Sequence, residues 1–163
     1  MQELGIIIRQ IEEKDNSDLA KIIRNTFVEY CAPREGTVYS DSRTDDLFTL
    51  FRKSGSILWV AVIDGHVEGC CGIFPTEGLD NDCAELVKFY LNPGFRGRGI
   101  GKKLISKSIQ FAKQWGYKHL YLESCAQFVQ AVGMYEKIGF ERLEHPLGNS
   151  CHNLCNIWMI KEL

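Results

Sequence analysis

The segment Arg96-Gly97-Arg98-Gly99-Ile100-Gly101 has the residue types and the spacing to hold a phosphate. It follows the apolar run Glu85-Leu86-Val87-Lys88-Phe89-Tyr90-Leu91 and precedes a helical pattern, so its glycines fall where a helix begins. The first turn of a helix carries unpaired N–H donors and roughly half a positive charge. Glycines leave those donors uncovered, and the combination binds anions. Arg96 and Arg98 are expected beside the ligand, with Lys102 and Lys103 either joining them or forming a solvated helix start. A second candidate, Glu85, lies eleven residues before Arg96. It is an acid inside a largely apolar strand, where burial raises a carboxyl pKa towards the range of a general base. The alternative is a strand-end carboxylate in solvent or paired with Lys88.

The spacing rules out two common phosphate cradles. A P-loop needs Gly-x-x-x-x-Gly-Lys followed by Ser or Thr, and Gly97 to Gly101 is too short while Lys102-Lys103 leads into Leu104. A dinucleotide fold needs Gly-x-Gly-x-x-Gly after the first strand. Here the pattern is Gly97-x-Gly99-x-Gly101, and it comes late in the chain.

The elements that must position these residues can be read from periodicity and breakers. Residues 5–10 form a short strand. Asp15 or Ser17 caps a helix to about Tyr30, with Leu19, Ile22, Ile23 and Phe27 on one face and Pro33 ending it. Residues 31–41 form a loop, and Leu47, Leu50 and Phe51 mark a second helix closed near Gly55. Residues 57–63 and 67–74 are strands joined by Asp64-Gly65, a hairpin signal. Residues 83–91 form a long strand. A helix follows from about Gly99 to Trp115, carrying Leu104, Ile105, Ile109, Phe111 and Ala112. Residues 120–123 are a buried strand, 128–137 a helix ended by Gly139, and 140–143 and 156–160 the last strands. The order β-α-α-β-β-β-α-β-α-β-β gives a mixed sheet flanked by helices, in the α+β or α/β class.

With strand, loop and helix in that order, Arg96–Gly101 matches Arg/Gln-x-x-Gly-x-Gly/Ala, and the chain resembles the GNAT family, the Gcn5-related N-acetyltransferases. A second segment, Ala131-Val132-Gly133-Met134-Tyr135-Glu136-Lys137-Ile138-Gly139-Phe140, is similar to the family's Ala-x-x-x-Tyr-Glu-x-x-Gly-Phe. The resemblance implies a mixed, mostly antiparallel central sheet of the acyl-CoA N-acyltransferase type. It also implies one domain over residues 1–163 and acetyl-CoA as co-substrate, with Gly97, Gly99, Ile100, Gly101 and Lys102 near its pyrophosphate. Phe89 and Leu91 are implied at the end of a strand that splays from its neighbour and offers backbone N–H groups to the thioester. Glu85 sits where the histone-acetylating branch of the family has a catalytic glutamate. Tyr135 is implied as the acid that protonates the departing thiolate. A phenol of pKa about 10 facing a thiol of about 8.5 is a workable donor. One departure stands out. Many members carry Asn seven residues before the motif tyrosine, and here that position is Phe128, leaving Gln127 or Gln130 as substitutes.

Composition narrows the partners. A net charge of -2 argues against a general nucleic-acid binder, and there is no apolar stretch long enough for a membrane span. Without a secretion signal, the odd set Cys31, Cys70, Cys71, Cys83, Cys125, Cys151 and Cys155 reads as reduced thiols of a cytoplasmic protein. Cys70 and Cys71 are expected to pack as small hydrophobes. Cys151-His152-Asn153-Leu154-Cys155 has too few ligands for a zinc site, and no metal is expected.

The resemblance places the acceptor among Tyr30, Arg34, Glu35, Tyr39, Glu77, His145, Asn149, His152 and Asn153, which suits a small amine with a carboxylate or a peptide N-terminus equally. No acidic run points to polyamines and no Arg cluster to a phosphosugar. A homodimer is left open. A non-catalytic acyl-CoA sensor is the alternative to an acetyltransferase, and a nucleotide-binding protein of another fold is a third reading.

Overall fold

The computed structural model describes residues 4–150 and 154–163. Seven strands form one sheet in the order β1-β2-β3-β4-β5-β7-β6. The strands are β1 Ile6–Gln10, β2 Ile57–Ile63, β3 His66–Phe74, β4 Cys83–Leu91, β5 His119–Ser124, β6 Glu141–Leu143 and β7 Ile157–Glu162. Only β4 and β5 run parallel, and every other pair is antiparallel. The β2–β3 hairpin turns on Asp64 and Gly65 with φ of 49° and 84°, the paired positive values expected of Asp-Gly.

Helices cover both faces. On one side α1 (Asn16–Glu29) and the single turn α2 (Leu47–Leu50) pack Leu19, Ile23, Phe27 and Leu47 on Leu58, Val60 and Cys70. On the other, α3 (Ile100–Trp115) and α4 (Val129–Lys137) pack Ile100, Leu104, Ile105, Val132 and Tyr135 on Ala61, Cys71, Ile73, Leu86 and Leu122. Side chains such as Leu104 and Ile100, with no exposure, each stabilise by about 1.5–3 kcal/mol on burial. Cys70 and Cys71 are packed as small hydrophobes with no exposure, one on each face.

Three local details differ from the sequence reading. α1 ends at Glu29, close to the expected Tyr30, but it is closed by Cys31 at a left-handed φ of 50° and not by Pro33. Ala32 N–H then bonds Phe27 O (2.9 Å) and Cys31 N–H bonds Val28 O (3.2 Å), a Schellman close. Asp15 is the N-cap residue of α1, but its carboxylate does not cap that helix. It is buried and takes Arg9 (2.7 and 3.0 Å) and Glu12 N–H (2.8 Å) instead. The second helix is one turn, preceded by a 3-10 turn over Ser42–Asp45.

β4 is the strand that shapes the site. Its ladder with β5 lasts three residues, Cys83 to Glu85 against His119 to Tyr121, and then stops. β5 stays paired with β7 to Ser124, so β4 and β5 part beyond Glu85. Against β3 the register slips by one between Val87 and Tyr90, an extra residue in β4. Lys88 takes φ of 57° there. Ala84, Leu86, Phe89 and Leu91 consequently all face α3 and α4, although an unbroken alternation would turn Phe89 and Leu91 to the opposite face.

Candidate active site

A cavity of about 250 Å³ fills the gap between the parted strands. It runs along Glu85 to Leu91, reaches Gly97, Gly99, Gly101 and Lys102 at one end, and is closed by Tyr135, Met134 and Phe128 from the segment around α4. The structure thus brings the glycine segment, the β4 glutamate and the α4 tyrosine, far apart in sequence, onto one space.

The glycine segment is built as the sequence implied. Gly97 and Gly99 take φ of 73° and 80°, a backbone that side chains rarely adopt. Gly99 is the N-cap of α3, so the amides of Ile100, Gly101 and Lys102 have no partner within the helix. Gly101 is glycine for room: a Cβ there would stand 3.0 Å from the Phe89 ring. Ile100 faces inward with no exposure and anchors the turn to the core. The two arginines have different surroundings, and Arg96 lines the cavity. Arg96 is a strut, with Nε donating to Leu91 O (2.9 Å), its guanidinium on Glu29 (2.7 and 3.0 Å), and Nη1 on the Tyr30 hydroxyl (2.9 Å). Arg98 is exposed, lies over the Phe95 ring at 5.7 Å and is not among the cavity-lining residues, whereas Lys102 is.

Glu85 is 5% exposed and is the last β4 residue paired with β5. Its Oε1 accepts from Thr76 Oγ1 at 2.7 Å. Burial pushes its carboxyl up to about 7, with the nearby Glu123 adding to the rise and Thr76 and Lys88 opposing it. That places a proton acceptor in the working range of a general base. Tyr135 is buried, and burial pushes its phenol well up, so it remains protonated. Its ring meets Phe89 (6.0 Å) and Phe140 (5.9 Å) edge-on, which fixes its direction. Phe89 and Leu91 both line the cavity, and the Leu91 carbonyl is held by Arg96.

Phe128, at the position where Asn was expected, packs edge-on against Phe27 (5.2 Å) and Tyr30 (5.6 Å) and makes that wall aromatic. Gln130 lines the cavity and Gln127 does not. Of the acceptor candidates, Tyr30 lines this cavity, and Arg34 stacks on Tyr39 at 5.0 Å. Glu77 and Asn149 line a second cavity of about 210 Å³, whose wall also includes Glu85. Cys151, His152 and Asn153 lie outside the described residues, so the Cys-His-Asn-Leu-Cys motif falls largely outside them. Among the described residues no three His, Cys, Asp or Glu side chains cluster as a metal site, and no helix is long and apolar enough to cross a membrane. Sequence reasoning missed Thr76 and Glu123, and gave Lys88 only as an alternative partner of Glu85. Thr76 and Glu123 are ordinary polar residues until the sheet brings them to Glu85. The only signal for Lys88 was its placement in a strand otherwise apolar from Leu86 to Leu91.

The family model for the acetyltransferase (GNAT) family matches residues 19–140. The chain belongs to this family. As a GNAT member it is an acetyl-CoA-dependent N-acetyltransferase. It is 34% identical over 158 residues to YjgM of Escherichia coli, an uncharacterized N-acetyltransferase, covering 96% of this chain and 95% of that one. It is 36% identical over 89 residues to the N-acetylaspartate synthetase of Homo sapiens, a match over 55% of this chain and only 29% of that protein. Among solved structures, the PaiA N-acetyltransferase of Thermoplasma acidophilum, in complex with coenzyme A, has the same fold. Its TM-score is 0.73 at 20% identity, with coverage of 98% of this chain and 99% of that one.

Proposed function

We propose that this chain transfers the acetyl group of acetyl-CoA to a primary amine of a small molecule or peptide by direct attack. The observation that carries the reading is the single cavity between β4 and β5, which joins the amides at the start of α3 to Glu85 and Tyr135. The pyrophosphate lies on the amides of residues 97–102, where unpaired donors and the helix dipole favour it. The pantetheine arm follows the unpaired edge of β4, and the thioester carbonyl meets backbone N–H groups around Phe89 and Leu91.

In this mechanism Glu85, directly or through a water, takes a proton from the incoming ammonium. The amine then attacks the thioester carbonyl, the oxyanion forms against the backbone donors, and the C–S bond breaks. Tyr135 gives its proton to the departing thiolate. Burial keeps that phenol protonated and so available as a donor, and the same low dielectric raises the basicity of the thiolate that faces it. The relationship to an N-acetylaspartate synthetase, and the mixed charges beyond Glu85, favour a small amino-acid-like acceptor over a bulky one.

The test is release of free CoA thiol from acetyl-CoA across a panel of primary amines, with Tyr135→Phe alongside. Turnover with at least one amine is expected. The variant is expected to lose about one to two orders of magnitude in kcat while CoA binding by calorimetry is unchanged. Normal turnover in Tyr135→Phe removes the assigned acid. Tight CoA binding with no turnover on any amine leaves the sensor reading in its place.

A further inference from the structure

The second cavity adjoins the cofactor cleft along β4. It is lined by Arg43, Lys53, Thr76, Glu77, Asn149 and Ser150, and it shares Glu85, Val87 and Lys88 with the first. Glu85 and Lys88 stand three apart, a spacing that puts side chains on opposite faces of a regular strand. The extra residue in β4 cancels that alternation and brings both to the same wall. A carboxyl group and an amine thereby line both cavities together.

The charges around them are unequal. Arg43 is paired with Asp41 at 2.7 Å. Lys53 lies over the Phe74 ring at 5.5 Å, and among the described residues neither Lys53 nor Lys88 belongs to an ion pair. Burial lowers the affinity of Lys88 for its proton, with Glu85 and Asp41 opposing that and Arg43 adding to it. The same burial raises the Glu85 carboxyl. Each is held away from its charged form, and a partner of opposite charge would restore both.

We propose that this second cavity binds the acceptor, and that the acceptor is a small zwitterion: its carboxylate sits on Lys88, with Lys53 at the rim, and its ammonium on Glu85. The proposal deepens the acetyltransferase reading and rests on it for the word acceptor. A single carboxylate fits better than a phosphate, because Glu77 and Glu85 share the cavity with the two spare lysines and would repel a dianion. Thr76, Asn149 and Ser150 supply neutral polar groups around the same space. Placed this way, the amine lies at the stretch of β4 that the two cavities share, next to the base and towards the cleft where the thioester runs.

The experiment pairs L-amino acids with their own C-terminal amides as acceptors in the CoA-release assay. Each pair has the same amine and side chain and differs in the carboxylate. The acids are expected to exceed the amides in kcat/KM by about ten- to a hundredfold, the range of one charge-assisted hydrogen bond. Lys88→Met is expected to abolish that preference by raising KM for the acids, and Lys88→Arg to keep most of it. Met adopts the left-handed backbone at this position no less readily than Lys, so the pair of variants separates charge from fold. Lys53→Met, at an exposed site, is expected to give a smaller loss in the same direction. Equal use of acids and amides, or a preference surviving in Lys88→Met, overturns the proposal and leaves the acetyltransferase reading standing.

A second arm does not depend on turnover: calorimetry of the best amino acid, or of glycine if none turns over, titrated into the CoA-loaded protein. Binding that disappears in Lys88→Met supports the carboxylate site even if no amine is acetylated, in which case only the catalytic reading falls. Absence of binding together with absence of turnover overturns both.

Discussion

The cofactor cleft and the second cavity share β4 as a wall and differ in what they are made of. The cleft takes its chemistry from main chain: amides at the start of α3, an unpaired strand edge, and glycines that keep both accessible. The second cavity takes its chemistry from side chains of five separate stretches, around Arg43, Lys53, Thr76, Lys88 and Asn149. Main-chain chemistry needs a fixed local geometry, so it constrains residue type at close spacing. Side-chain chemistry can be supplied by any segment that the fold brings near. One half of the site can therefore stay the same across substrates while the other is rebuilt for each.

The sharpest way to break this division is at the shared wall. Glu85→Gln is expected to lower kcat by about 10²- to 10⁴-fold, as loss of a general base does. In the unaltered protein, activity is expected to fall about tenfold per pH unit below an apparent pKa of about 7, and the variant should lack that limb. Stability should move the other way. The Glu85 carboxyl is raised from 4.5 to about 7 on folding, so between those values the folded chain holds the extra proton. Its contribution therefore falls as pH rises, and above pH 7 the full penalty is present, about 3 kcal/mol at 1.36 kcal/mol per pKa unit. Glu85→Gln is expected to raise Tm near pH ~8 and to leave it nearly unchanged near pH ~5. Thermal melts at the two values check the sign.

Gly99→Val tests the main-chain half alone. A β-branched residue at φ of 80° carries strain of about 1–3 kcal/mol, and relief of that strain by turning the α3 amides away should raise KM for acetyl-CoA about tenfold or more. The acceptor KM should be unaffected. Equal changes in both constants would show that the two halves are not separable.

The smallest effects separate the two arginines that the sequence treats alike. Arg96→Ala should cost about 1–2 kcal/mol in denaturant unfolding, since it removes the bonds to Leu91, Glu29 and Tyr30. Arg98→Ala should stay within about 0.5 kcal/mol. A phosphate role for Arg98 would appear only as a salt-dependent change in CoA affinity.

The same division explains how much of the molecule was legible. Arg96 to Gly101 and Ala131 to Phe140 are local patterns, and the elements around them follow from hydrophobic period and from turns such as Asp64-Gly65. The role of Arg96 was not legible, because charge near a phosphate loop says nothing of Glu29 lying within reach. Asp15 looked like a helix cap because the pull of Arg9 is visible only when β1 lies beside α1. Lys88 read only as a candidate ion-pair partner of Glu85, because an alternation with one extra residue cannot be told from a regular one without the β3 register.

That extra residue makes β4 a counting device. From Glu85 to the glycine segment the chain has a fixed number of steps, and the inward set after the bulge is the inverse of the set before it. Deleting Lys88 would restore plain alternation with Phe89 and Leu91 still on the helix-3 layer and Tyr90 still opposite them; what it would take away is the left-handed residue and the side chain that it adds to the Glu85 side of the strand. The surplus residue therefore adds one group to the pocket wall without disturbing the faces of its neighbours, a group that a regular strand with the same pairing would lack.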